Sequence, residues 1–443
     1  MNDPHRVKLV LFSDTFPYGT GESFLADEIP FLAEAFHRIT IFPLYQPGGG
    51  KRKLPPNVDV ATPLLPFDHK DKKGFVKYGL WCKAPIFFAT GEFFRALFGW
   101  SRKAGPLKRL RIFFNYFLML RTILGRKKLM EEIVRECSFA DKIYFYWGDK
   151  SVMIAPWLRK RLKPNVEFMP TFLARFHGSD LYEEAKGFLP FRKMILSDID
   201  YAAPVSYDGM RYLKNRYRHI PPTVKVWHLG SAHHDENFKN LLSDDNSDTA
   251  FNIVGCSNLI PLKRVELTLS ALQLLQKDAQ AMERVRARGF DKIVYTHFGG
   301  GQLLASLSKK AEEISSDSLH ICFKGTTPHK DVLDHYSKNG ADLFILVSSS
   351  EGIPVSIMEA MSYGIPVIAT NVGGVKELFR NGPVGYIIDA DLNAEDLKKQ
   401  IVEYILLPKE IHSQMKKNCY INWKEEWDAQ TNYKAFAEEL LGI

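Results

Sequence analysis

The sequence predicts an α/β protein of two domains, each built on a parallel sheet, and three observations predict it. Short apolar runs of strand length alternate with amphipathic helical stretches along most of the chain. A length of 443 residues is enough for two or three separate cores. The stretch Ser348–Glu377, SSSEGIPVSIMEAMSYGIPVIATNVGGVKE, supplies most of a complete strand–turn–helix–strand unit, with its polar residues gathered where the strands end. Open α/β sheets bind ligands at that edge.

In the first domain, residues 1–232, Val7–Phe12 reads as the opening strand and Ser23–Phe36 as an amphipathic helix. The loop between them carries Gly19 and Gly21. Such a loop lets backbone N–H groups approach a phosphate at a helix start, and it serves equally as a plain tight turn. It is not the dinucleotide fingerprint, which needs glycine where Phe24 stands, so a nicotinamide-dependent dehydrogenase is excluded. Arg38–Leu44 is a second strand. After a basic stretch, strands at Lys142–Trp147, Thr171–Phe176, Tyr201–Val205 and Val224–Trp227 alternate with helices at Ser151–Leu162, Glu183–Leu196 and Tyr207–Tyr217. His177-Gly178-Ser179-Asp180 follows the Thr171–Phe176 strand, where a histidine and a carboxylate are placed to touch a ligand or to tie the turn together.

The polar run 233–249 reads as a linker. The second domain, residues 250–420, opens with strand Phe251–Cys256 and the turn Ser257–Arg264, which carries Asn258, Lys263 and Arg264. Cations at a helix start oppose its dipole unless an anion lies between them. Strand Lys292–Phe298, the turn Gly299-Gly300-Gly301 and helix Gln302–Ile314 follow. Strand Leu319–Phe323 then leads through Thr326 and Thr327 to a helix ending near Ser337. Asp342–Val347 and Ile365–Thr370 are the strands of the central unit, and Val355–Tyr363 is its helix, with Pro354 in the first turn. Val384–Ile388 is the last strand and Ala394–Leu406 the next helix, before an amphipathic tail, residues 421–443.

Two carboxylates stand out in the central unit, Glu351 in the turn and Glu359 on the helix, with seven residues between them. Glu359 lies among Ile357, Met358, Ala360 and Met361, and an acid in such a segment needs a partner. A ligand rich in hydroxyls, such as a ribose or a hexose, explains the pair better than two solvated side chains do.

With its Glu-x7-Glu spacing and following Gly-Gly turn, this segment resembles the signature of the retaining family-four glycosyltransferases. The resemblance is strong over 251–389, weaker over 168–230, and closest to bacterial surface-polysaccharide enzymes of the colanic acid, capsule and exopolysaccharide type. It implies the GT-B fold, two Rossmann-like domains facing across a cleft, with the tail helix crossing back onto the first. It implies transfer of a hexose from a nucleotide diphosphate sugar, UDP- or GDP-linked, to a glycan or polyprenyl-diphosphate-linked glycan, with retention and without a required cofactor or metal. Glu351 would face the donor sugar and Glu359 the ribose, with Gly352, Ile353 and Pro354 in the donor turn. Lys263 would meet the diphosphate. The family's arginine position holds Asn258, and Arg264 stands where a glycine is common, so Arg264 would supply the cation in its place. Thr326 and Thr327 would reach the base, Gly19 and Gly21 the diphosphate or acceptor, and His177 and Asp180 the sugar or acceptor side. A non-catalytic scaffold subunit of a polysaccharide assembly is the alternative.

Apolar residues at 45% and charged residues at 25% are ordinary for a globular protein. The net charge of +8 is concentrated, because residues 68–128 hold fifteen Lys and Arg against three acids. Aromatic residues interleave with these cations, and Lys108–Leu124 is too short to span a bilayer. The segment suits an anionic membrane surface, or core helices with basic ends reaching to solvent. Nothing in it resembles a nucleic-acid module. Five scattered cysteines fit free buried thiols in a reducing compartment rather than disulfides or zinc. With no signal-like start and no long apolar run, the expectation is a cytoplasmic protein docked on the inner face of the cytoplasmic membrane.

Overall fold

The computed structural model describes residues 7–19, 21–48, 50–66, 89–99, 104–217, 222–233, 249–380 and 382–443. The chain forms two compact units, Met1–Leu229 with Ala429–Ile443, and Gly230–Asp428. Most of the expected linker, residues 234–248, lies outside the described residues.

The first unit holds seven parallel strands: β1 (Lys8–Ser13), β2 (Arg38–Pro43), β3 (Val58–Val60), β4 (Lys142–Phe145), β5 (Thr171–Phe176), β6 (Tyr201–Pro204) and β7 (Thr223–Val224). Their order is β3-β2-β1-β4-β5-β6-β7. The second unit holds six: β8 (Ala250–Cys256), β9 (Lys292–Phe298), β10 (Leu319–Gly325), β11 (Leu343–Leu346), β12 (Val367–Thr370) and β13 (Gly385–Ile388), in the order β10-β9-β8-β11-β12-β13. Neighbouring strands pair in parallel throughout. Parallel sheets are covered by helices on both faces, so their strands are continuous apolar runs; β11 (LFIL) and β12 (VIAT) are wholly buried. Each sheet reverses its winding beside its first strand, between β1 and β4 and between β8 and β11, and those reversals open crevices at the strand ends.

Three expectations are corrected. Strand β3 is added, three residues whose pattern is too short to announce itself. The helix expected over Glu183–Leu196 is two pieces, Glu183–Lys186 and Arg192–Ser197, because Gly187 turns left-handed at φ 84° and Pro190 follows. The tail is likewise two helices, Lys409–Glu426 and Ala429–Gly442, broken at Trp427 and Asp428. The first stays with the second unit, where the Trp423 indole donates to Ser231 at 2.9 Å. The second joins the first unit and buries Tyr433, Phe436 and Leu440 there. Phe436 lies beneath the guanidinium of Arg175, itself ion-paired with Glu28 at zero exposure.

Residues 67–88 and 100–103 of the basic segment lie outside the described residues. Its described part forms helices Ala89–Phe98 and Pro106–Gly125. Phe113, Leu120 and Ile123 enter the core with Phe12 and Phe145. Arg109 is buried and caps the end of the preceding helix, donating to the carbonyls of Ala96 (2.8 Å), Leu97 (3.3 Å) and Ala104 (2.7 Å). Arg126 similarly holds the carbonyls of Pro63 and Leu64. Part of the charge counted in the sequence is therefore internal bracing. On the outer face, Phe94, Phe98, Leu107 and Phe114 are 58%, 76%, 84% and 45% exposed. Among the described cysteines, Cys137 and Cys419 are buried, whereas Cys256 and Cys322 are half-buried; Cys82 lies outside.

Candidate functional site

At the reversal of the second sheet, the turns after β8 and β11 are sewn together. Ser349 N–H donates to the Leu262 carbonyl at 2.8 Å, and the Lys263 ammonium meets the Glu351 carboxylate at 2.5 Å. Both side chains are largely shielded from solvent, at 18% and 10% exposure, so the pair is not a screened surface contact. Arg264 adopts the left-handed conformation, φ 49°. Its guanidinium turns inward to the carbonyls of Val347 (2.7 Å), Ser348 (3.2 Å) and Ala390 (2.7 Å). Its donors brace the strand ends.

Helix Val355–Ser362 is buried along nearly its whole length, and Glu359 with it, at 7% exposure. The partner that a buried carboxylate requires is His329, whose Nε2 lies 2.8 Å from Glu359 Oε1. His329 opens helix His329–Asn339, 30 residues earlier in the chain, and no local pattern announces it. Behind Glu359, burial first and then that carboxylate push the Cys256 thiol up to about 12. The Gly352 carbonyl accepts from Gly374 N–H at 2.7 Å, so the Gly-Gly turn fixes the Gly352-Ile353-Pro354 turn ahead of the helix.

Asn258 is exposed on the turn after β8. The glycine turn after β9 crosses that turn so closely that a Cβ on Gly299 would lie 2.0 Å from the Ser257 carbonyl oxygen, and one on Gly301 2.5 Å from that of Leu259. Thr326 and Thr327 line a cavity of about 510 Å³ with Phe298, Lys324, His335 and Lys338. Thus Lys263, Glu351, Glu359, Gly352, Ile353, Pro354, Asn258 and the two threonines all lie on turns leaving the same edge of one sheet, or on helices those turns open. Among the described residues no cluster of metal-ligating side chains is found.

The first unit has its own reversal, between β1 and β4. Here the N–H groups of Asp14, Thr15 and Phe16, beside Gly19 and Gly21, do not stand open. They donate to the Glu22 carboxylate at 2.9, 2.6 and 2.6 Å, and the Trp147 indole donates to it at 2.7 Å. Arg52 holds the Gly19 and Gly21 carbonyls from the other side. Asp180 is equally committed: its carboxylate accepts from His177 N–H and Gly148 N–H, both at 2.6 Å. His177 is different. Its ring is buried against Tyr146 and Trp147, with Nδ1 3.9 Å from the Asp180 carboxylate.

Sequence reading missed a charge chain at this edge. Asp14 pairs with Lys150, Asp149 with Lys186 at 2.5 Å, and the Tyr116 hydroxyl donates to Asp149 at 2.7 Å. Burial pushes the Asp14 carboxyl up to about 6, with Glu22 and Asp149 adding to it against Lys150. Burial alone would raise Asp149 too, but Lys186, Lys150 and Tyr116 outweigh it and hold it low. The available signal was Trp147-Gly148-Asp149-Lys150, a charged run at a strand end. A smaller cavity, about 230 Å³, lies at the opposite ends of β1 and β2 and touches none of these groups.

Residues 236–421 match the family model for glycosyl transferases group 1. TuaC of Bacillus subtilis (strain 168) is 31% identical over 150 residues, 33% of this chain and 34% of that one. The amylovoran biosynthesis glycosyltransferase AmsK of Erwinia amylovora is 28% identical over 156 residues, 33% of this chain and 34% of its own length. The matched stretches thus span about a third of these relatives. Among solved structures, Anabaena Alr3699/HepE in complex with UDP-glucose superposes with a TM-score of 0.59 over 98% of this chain and 100% of that one, at 14% identity. At that identity the likeness is one of fold, and the two-sheet architecture is GT-B. Over residues 236–421 the chain is similar to the glycosyl transferases group 1 family.

Proposed function

We propose that the protein transfers a hexose from a UDP-linked or GDP-linked donor to a hydroxyl of a glycan or polyprenyl-diphosphate-linked glycan, with retention, in surface polysaccharide assembly. The observation that carries this reading is the joining of Lys263 to Glu351, and of Glu359 to His329, at the reversal of the second sheet. The UDP-glucose bound by HepE and the polysaccharide role of AmsK favour the donor class and the pathway.

Breaking the anomeric bond places positive charge on the sugar ring and negative charge on the departing diphosphate, and a site accelerates this by fixing opposite charge where each develops. Lys263 lies where it can turn from Glu351 to the diphosphate, releasing that carboxylate to orient the sugar hydroxyls. Glu359, held by His329, accepts from the ribose hydroxyls. The Gly352–Pro354 turn and the start of helix Val355–Ser362 add backbone dipoles on the phosphate side. In the front-face reaction the acceptor oxygen bonds to the anomeric carbon as the phosphate oxygen leaves, and that phosphate oxygen takes the acceptor's proton. No step is assigned to a metal. Arg264, with its donors on three carbonyls, serves as a brace.

The test is nucleotide release from UDP- and GDP-hexoses, with the anomeric configuration of the product read by proton NMR. Release with inversion would remove the retaining mechanism. No release of either nucleotide at high protein concentration would favour the scaffold reading, which the Asn258 position and the inward Arg264 suit.

Docking at an anionic inner-membrane surface belongs to the same proposal. Phe94, Phe98, Leu107 and Phe114 form an outward apolar face beside Lys108 and Arg111, and helix Pro106–Gly125 carries no acid.

A further inference from the structure

The cavity of about 230 Å³ at the opposite ends of β1 and β2 serves none of the chemistry described so far. The pleat turns alternate residues of a strand to one face, and Lys8 and Val10 of β1 pair there with Arg38 and Thr40 of β2. The end of helix Lys127–Ser138 adds Arg135, Glu136 and Phe139 to the lining. Three cations thus share a small cavity with one carboxylate.

Two of its groups are left without a polar partner. Thr40 is 7% exposed and lines the cavity, and its hydroxyl forms no hydrogen bond among the described residues. The Lys8 ammonium meets no carboxylate among them and lies 5.9 Å from the centre of the exposed Phe139 ring. The remaining charges are only partly committed. Asp59 takes Nε of Arg38 at 2.9 Å and leaves its Nη groups, and Arg135 reaches Glu136 at 3.4 Å. Cations at a helix C-terminus commonly answer its dipole. Here the last carbonyls already have donors: the Ser138 hydroxyl on Arg135 at 2.8 Å, and the N–H groups of Phe139 and Ala140 on Glu136 and Cys137, both at 3.3 Å. A shielded hydroxyl with no partner marks a missing ligand or ordered water, and the cations around this one call for an anion.

From this we infer that the cavity binds a small soluble phosphomonoester, held by Lys8, Arg38 and Arg135 and by the Thr40 hydroxyl. Such an ester presents three acceptor oxygens and close to two negative charges. Lysine and arginine donors make strong charge-assisted bonds to those oxygens, and the threonine hydroxyl donates one more. A carboxylate, with two oxygens, would leave donors idle. Val10 and the Phe139 ring offer apolar surface to the carbons of the ester.

Isothermal titration of the full chain with inorganic phosphate and with glycerol phosphate, at an ionic strength held constant with chloride, tests this. Saturable binding is expected, with Kd about tenfold or more higher in Lys8→Met. In Thr40→Val, which keeps the side chain's shape and removes its hydroxyl, Kd should rise about threefold to tenfold. Lys263→Ala, altered at the phosphate position proposed in the second unit, should bind as the wild type does. Unfolding midpoints without ligand establish that each variant is folded. Displacement of glycerol phosphate by phosphatidic acid vesicles would support the same chemistry with a lipid as its source. Absence of saturable binding by the wild type overturns the site. So does weakened binding in Lys8→Met with wild-type binding in Thr40→Val, which is attraction to surface charge alone. Loss of binding in Lys263→Ala also overturns it, by placing the phosphate in the second unit.

Discussion

The two sheet reversals of this molecule share one topology and use it differently. In the second unit the carboxylates of Glu351 and Glu359 each meet one cationic or imidazole partner, and the turns around them are fixed by backbone contacts. In the first unit Glu22 accepts from five groups, Asp180 from two backbone amides, and Asp14, Lys150, Asp149 and Lys186 neutralise one another. A fold that brings strand ends together does not thereby choose a ligand. Whether its amides and charges are already held by the chain limits which ligands it can take.

The comparison can be broken at several points. The largest effect is expected for Lys263→Ala, which removes the cation proposed to meet the leaving diphosphate; kcat should fall about 10²–10³-fold. A fall of less than about threefold would place the phosphate cation elsewhere. Glu22→Ala strips the acceptor from three loop amides and an indole, and should cost about 2 kcal/mol or more by chemical denaturation. An unchanged midpoint would mean that the loop amides find water without loss.

Asp14 gives a pH signature of smaller size. Its folded carboxyl lies at about 6 against an ordinary value of 3.8, so the folded state binds the proton more tightly. Stability is greatest below the ordinary value and falls as pH rises from there to about 6, by at most about 3 kcal/mol. Asp14→Asn should flatten that window in a denaturation series, and an unchanged slope would remove Asp14 as its source. Arg264→Met should lower stability by about 1–3 kcal/mol while leaving UDP affinity nearly unchanged. Loss of UDP binding instead would make Arg264 a phosphate ligand. The smallest stability change, within about 0.5 kcal/mol, is expected for Phe94→Ser combined with Phe98→Ser. That pair should nonetheless weaken sedimentation with anionic vesicles, and undiminished sedimentation would take the exposed aromatic face out of the docking proposal.

The fold was legible because parallel strands buried on both faces are short apolar runs, and such runs as β5 and β9 were located to the residue. What escaped was either too short to show a period, as in β3, or decided by one residue, as at Gly187. The Glu351 and Glu359 pair was legible because one turn and one helix carry both. Their partners were not. His329 meets Glu359, and Asp14 meets Lys150 across 136 positions of sequence, through turns that only the sheet order brings together. The basic segment misled in another way, since a count of charges cannot tell the solvated cation from Arg109, which is buried as a helix cap.

The central claim is that the second unit binds a nucleotide diphosphate sugar through the Glu359 clamp. Thermal unfolding of wild type and Glu359→Ala with UDP, GDP, ADP and their hexose conjugates tests it most directly. One nucleotide should stabilise the wild type, by about 2.7 kcal/mol at a hundredfold excess over Kd, and the variant should lose most of that gain. Equal stabilisation of both proteins would contradict the ribose clamp, and no stabilisation of the wild type by any nucleotide would contradict the claim itself.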